Sequence, residues 1–83
     1  MITEIGERVE VAVLFGRGEK VRPVWFLWNG RKIKIREITY RWTEQEGEEV
    51  FFHFSVTDGA SLYELAYSTK KLLWELVAVE TEG

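Results

Sequence analysis

The chain has 83 residues, 46% of them apolar and 14% aromatic, with a formal net charge of −3 and no cysteine. This length supports one domain, 1–83 with a core over about 7–80, and the composition fits a globule rather than a disordered chain. The missing cysteine excludes a disulfide scaffold, a thiolate zinc site and a cysteine nucleophile.

Met1 to Gly6 reads as a frayed start. It is too acidic and polar, on through Glu10, for a signal peptide, and no apolar run approaches the roughly 20 residues of a membrane helix. A cytoplasmic location and no membrane partner are therefore expected. Glu7 to Phe15 alternates as a strand, with Val9, Val11, Val13 and Phe15 on one side. Gly16 to Glu19 is a glycine-rich turn. A phosphate loop would lead into a helix N-terminus, and here a strand follows.

Lys20–Trp28 and Arg31–Tyr40 are predicted to form the central hairpin, joined by Asn29-Gly30. Asn-Gly supplies the positive φ that both central residues of a type I′ turn need. A two-residue loop pairs Trp28 with Arg31, Leu27 with Lys32, Phe26 with Ile33, Trp25 with Lys34, Val24 with Ile35 and Pro23 with Arg36. Val24, Phe26, Trp28, Ile33 and Ile35 then share a core face. Pro23 cannot donate to a ladder, so its strand is an edge or bulged there.

Arg41 to Glu49 is acidic and contains Gly47; a helical turn or long loop is expected. Val50–Thr57 is a fourth strand. Asp58-Gly59 is a second type I′ signal, leading into a fifth strand, Ala60–Thr69. That register sets Val56 opposite Ser61, Phe54 opposite Tyr63 and His53 opposite Glu64. Lys70-Lys71 makes a third turn, and Leu72–Glu80 a sixth strand, with Trp74, Leu76 and Ala78 on one side. Six strands at short spacing, with no convincing helix, predict an all-β, six-stranded antiparallel meander forming a small barrel or strongly curled sheet.

The residue order resembles a small uncharacterised bacterial domain family, a domain of unknown function. The features that carry the likeness are Pro23, Phe26 and Trp28 before the Gly30-Arg31 turn, Ile35, Ile38 and Trp42 after it, the Asp58-Gly59 hairpin with Tyr63 and Leu65, and Trp74. They cover about residues 8 to 80 and speak to fold, carrying no catalytic residues. Members of the family occur alone or appended C-terminally to proteins similar to Y-family translesion polymerases. The resemblance therefore implies DNA as a partner by association.

The charge is uneven. Residues 17–41 hold eight basic and two acidic side chains, a balance of +6, and the remainder balances at −9. On the hairpin, Arg22, Lys32, Lys34 and Arg36 interleave with Trp25 and Leu27, if Arg22 escapes the pleat near Pro23, giving a basic–aromatic face. Two partners suit it. Bases stack on aromatic rings while cations meet phosphates. Alternatively Trp25 and Leu27 bury against another protein, self or other, while Lys and Arg stems cover apolar surface.

Catalysis needs convergent groups. His53, the single histidine, reads as half of a cross-strand polar pair with Glu64. Glu44, Glu46, Glu48 and Glu49 lack metal-ligand spacing and read as a solvated acidic loop. Asp58 is explained by its turn. The expectation is a protein with no enzymatic activity, metal or cofactor. It would be an interaction module self-associating through a sheet face, or else a nucleic-acid-binding accessory domain using residues 20–36.

Overall fold

A computed structural model describes residues 1–16 and 21–81. The glycine-rich turn beyond Gly16, Lys20 at the expected start of the second strand, and residues 82–83 fall outside the described residues. The described residues form seven strands: β1 (Ile2–Phe15), β2 (Val21–Trp28), β3 (Arg31–Lys34), β4 (Glu37–Glu46), β5 (Glu49–Thr57), β6 (Ser61–Ser68) and β7 (Leu73–Thr81). They form one antiparallel sheet in the order β3-β2-β1-β7-β6-β5-β4. The described residues include no helix long and apolar enough to cross a membrane.

The expected six strands become seven because the third breaks at Ile35-Arg36. Its first half, β3, pairs with β2. Its second half, β4, pairs with β5 at the opposite end of the sheet. The Ile35 amide donates to Val24 O at 3.0 Å, and the next amide, of Arg36, donates to Thr57 O at 2.7 Å. The first and last strands pair with each other, so the meander runs round a ring whose one gap lies between β3 and β4. The sheet is not closed into a barrel, but it folds over on itself. Phe26 of β2 meets Tyr63 of β6, not its neighbour in the sheet, edge to face at 5.2 Å.

Asn-Gly behaves as its chemistry requires. Asn29 and Gly30 have φ of 53° and 72°, and the pairing of Trp25–Trp28 with Arg31–Lys34 is as predicted. Bulges redistribute the faces elsewhere. In β2, Ala12 pairs with Trp25 and Val13 with Pro23, so Val24 is the extra residue. Pro23 thereby turns inward and is fully buried, while Val24, expected in the core, is only half-buried. In β7 the pairing skips Val77, so Val79 rather than Ala78 joins Trp74 and Leu76 in the core. Further shifts occur near Gly6 in β1 and Thr39 in β4. Each bulge strengthens local twist, which is how a short sheet curls.

Three other expectations are corrected. Met1–Gly6 is not frayed: β1 starts at Ile2, and the Met1 ammonium donates to Thr81 O at 2.7 Å. The acidic stretch is strand, with β4 reaching Glu46 and a tight turn at Gly47, φ +59°, leading into β5. The Asp58-Gly59 hairpin closes not on a two-residue turn but on Thr57 opposite Leu62, with Val56 opposite Tyr63 and His53 opposite Ala66. The register moves by two residues, so every side chain keeps its face. The cause is Asp58. Its Oδ1 accepts from the amides of Ala60 and Ser61, both at 2.8 Å, and its Oδ2 from the Tyr63 hydroxyl at 2.8 Å.

Phe26, Val56, Leu65 and Leu76 are wholly enclosed and form the core with Val9, Ile33, Phe54, Tyr63, Trp74 and Val79. At one end Phe54, Trp74 and Tyr67 pack ring to ring, at 5.5 and 5.0 Å.

Candidate functional site

Four of the six residues of the expected basic–aromatic face come together. Trp25, Leu27, Lys32 and Lys34 share the outer face of the β2–β3 hairpin, with Trp25 opposite Lys34 and Leu27 opposite Lys32. Lys32, Lys34 and Leu27 are exposed and Trp25 is half-buried. The Lys32 ammonium stands 4.5 Å from the centroid of the Trp25 ring, a cation–π contact. Beside Trp25 lies a shallow groove of about 580 Å³ bordered by Ala12, Leu72 and Leu73. Leu72 is 68% exposed there.

The other two residues lie elsewhere. Arg22 sits beyond the Val24 bulge, opposite Leu14, and borders the opening between β2 and β4. Arg36 packs on the β5–β6 turn: a Cβ at Gly59 would lie 2.8 Å from its Nη1. The Val24 bulge turns Pro23 in and Arg22 out of the pleat, but leaves Arg22 apart from Trp25; the alternation that placed Arg36 on the hairpin face breaks at the strand junction.

A second face was not legible in the sequence. The outer side of β4–β5 carries Tyr40, Trp42, Glu44 and His53, because Tyr40 pairs with Ser55, Trp42 with His53 and Glu44 with Phe51. Tyr40 is 65% exposed, and its ring lies 5.5 Å from that of Trp42. Trp42 stacks on His53 at 5.0 Å and 16°. His53 is only 8% exposed and sits between two carboxylates, Nδ1 3.3 Å from Glu64 Oε2 and Nε2 3.4 Å from Glu44 Oε2. A neutral imidazole has one N–H, so it donates to one carboxylate at a time; an imidazolium donates to both. Each nitrogen thus has a carboxylate beside it, and Trp42 covers one face of the ring. Trp42 Nε1 donates to Glu44 Oε1 at 3.0 Å. The face continues into the exposed Glu46 and Glu48 at the β4–β5 turn. The Glu64 contact was expected from direct opposition. It forms instead on the diagonal, since Glu64 pairs with Ser55.

No protein-family model matches the chain, and no curated protein or solved structure matches it either.

The two faces sit at opposite ends of one sheet. The first offers ammonium groups over an apolar floor. The second offers carboxylates beside two aromatic rings, and such rings accept cations on their faces.

Proposed function

We propose that the protein is a cytoplasmic, non-enzymatic interaction module that associates with copies of itself. The basic face of one copy (Trp25, Leu27, Lys32, Lys34) docks on the acidic–aromatic face of another (Tyr40, Trp42, Glu44, Glu46). One observation carries the reading: two exposed faces of opposite charge, each with aromatic surface, at the two ends of the same sheet. Complementary potentials steer association and fix register, and like faces repel. The contact is heterologous unless two copies dock reciprocally, which would close a dimer.

The test is sedimentation velocity at low and near-physiological salt. The wild type should associate, more strongly at low salt. Lys34→Glu and Glu46→Lys should each sediment as monomers. Their mixture should associate, because each supplies the face the other has lost. A wild type that is monomeric at low salt and high concentration overturns the proposal.

A second reading, nucleic-acid binding through the same hairpin, is supported by the exposed Lys32 and Lys34 and by the resemblance to domains appended to translesion polymerases. The position of Lys32 counts against it, since that ammonium occupies a face of Trp25 on which a base would stack. Oligonucleotide binding at near-physiological salt that is lost in Trp25→Ala, with the protein monomeric, would favour this second reading.

A further inference from the structure

We infer that the cleft between β1–β2 and β4–β5 is a binding site for a small amphipathic carboxylate, with Arg41 as the anion-recognising group. It is distinct from the basic hairpin face and adjoins the acidic–aromatic face, whose Trp42 and His53 also border it. The cleft encloses about 430 Å³, within the range of roughly 300–1,000 Å³ usual for ligand pockets. Phe15, Val21, Phe52 and Phe54 supply apolar walls, and Arg41 and Thr43 lie on the β4 side. It lies at the gap in the ring, where β2 runs on past the short β3 and no ladder joins it to β4.

Two features are unexplained by folding alone. Phe15 stands at the cleft 75% exposed, although its alternation with Val9, Val11 and Val13 marks it as a core position. Arg41 is the charged residue of the cleft. Its Nη1 donates to Val21 O at 3.0 Å and its guanidinium lies 5.4 Å from the Phe54 ring. Among the described residues, no carboxylate lies within 4.0 Å of it. A guanidinium has five N–H donors in a fixed fork, and a carboxylate matches that fork with two parallel bonds. An apolar body packed on Phe15, Phe52 and Phe54 with its carboxylate on Arg41 would satisfy both features. The Val21 contact holds Arg41 across the gap, so the fork is preorganised. A phosphate or sulfate alone would leave the apolar walls wet, which is why an amphiphile is the better fit.

Titration calorimetry with laurate, dodecanol and dodecyltrimethylammonium tests the site, with amide chemical shifts locating binding. Laurate should bind saturably, perturb Val21, Arg41 and Phe54, and bind more tightly than the cation. Arg41→Gln should weaken laurate about tenfold or more and leave dodecanol within about twofold, because only the charged hydrogen bonds are lost. Should Arg41→Gln fail to fold, Arg41→Lys keeps the charge without the fork and should lose part of the laurate affinity. Thr43→Trp, which fills the cleft, should weaken laurate and dodecanol together. The proposal is overturned if laurate does not saturate, if the cation binds equally well, or if the foldable Arg41 variant binds laurate as the wild type does.

Discussion

Ile35 and Arg36 are consecutive, yet their amides tie opposite ends of the sheet: Ile35 to Val24 of β2, Arg36 to Thr57 of β5. This pair replaces the ladder that a closed barrel would have. Removing the second amide with Arg36→Pro should therefore cost at least about 2 kcal/mol, well beyond Arg36→Ala. Urea unfolding measures the difference. Equal midpoints for the two variants would mean that the junction does not hold the sheet's ends together.

Gly59 carries a φ of +100°, a region L side chains rarely adopt, and the Arg36 guanidinium packs where its Cβ would be. Gly59→Ala should destabilise by about 1–3 kcal/mol. The clash is with the end of a flexible side chain, which can move; the backbone strain cannot. Adding Arg36→Ala should therefore leave most of that loss in place. Full recovery in the double variant would assign the cost to the clash instead.

Asp58 organises the β5–β6 turn. Burial works against its charge, but the amides of Ser61 and Ala60 and the Tyr63 hydroxyl outweigh it, holding the carboxyl below its ordinary range. Burial, with the Asp58 hydrogen bond and charge, pushes the Tyr63 phenol up. The sign for Asp58 is that of a depressed acid. Its contribution is present above the carboxyl's unfolded pKa and disappears as pH falls through the lower folded value. Wild type should thus lose stability on acidification faster than Asp58→Asn over that window. Parallel curves of thermal midpoint against pH would count against this role. Tyr63→Phe should raise the Asp58 pKa, read by carboxyl carbon shifts, and cost about 1 kcal/mol.

His53 is held by packing between Trp42 and the sheet as well as by two carboxylates. Glu44 is half exposed, with a side-chain accessibility of 52%, and water can replace the imidazole there. His53→Phe, which keeps the stack, should stay within about 1 kcal/mol of wild type, while His53→Ala should lose about 1–3 kcal/mol by opening space beneath Trp42. A loss in His53→Phe as large as that in His53→Ala would show that the carboxylate contacts dominate.

Lys32 over Trp25 predicts a smaller effect. Lys32→Met should cost no more than about 1 kcal/mol, because the contact is partly exposed, and should weaken self-association more than it weakens folding. Chemical unfolding and sedimentation of the same variant separate the two.

The sequence by itself determined the all-β class, most of the strand segments and the hairpin register around Asn29-Gly30, because alternation and turn chemistry are local properties of the chain. It also placed Trp25, Leu27, Lys32 and Lys34 on one face, since four residues either side of a tight turn cannot slip. The resemblance to a bacterial domain family was read from hydrophobic and turn positions, and no match with known proteins adds to it. Only the tertiary structure decided where strands break and bulge. Arg31 to Glu46 reads as basic then acidic, with nothing to mark the change of partner at Ile35-Arg36. That change comes from β1 meeting β7, which draws the two ends of the sheet together from opposite ends of the chain. The same change of partner sends Arg36 to Gly59 and opens the cleft at Arg41, whereas the Val24 bulge that buries Pro23 and the tight β4–β5 turn at Gly47 are short-range features with weak residue signals. Pairing between residues far apart in sequence has no local signature, so the split of the third strand and the cleft beside it emerge only once the whole sheet is assembled.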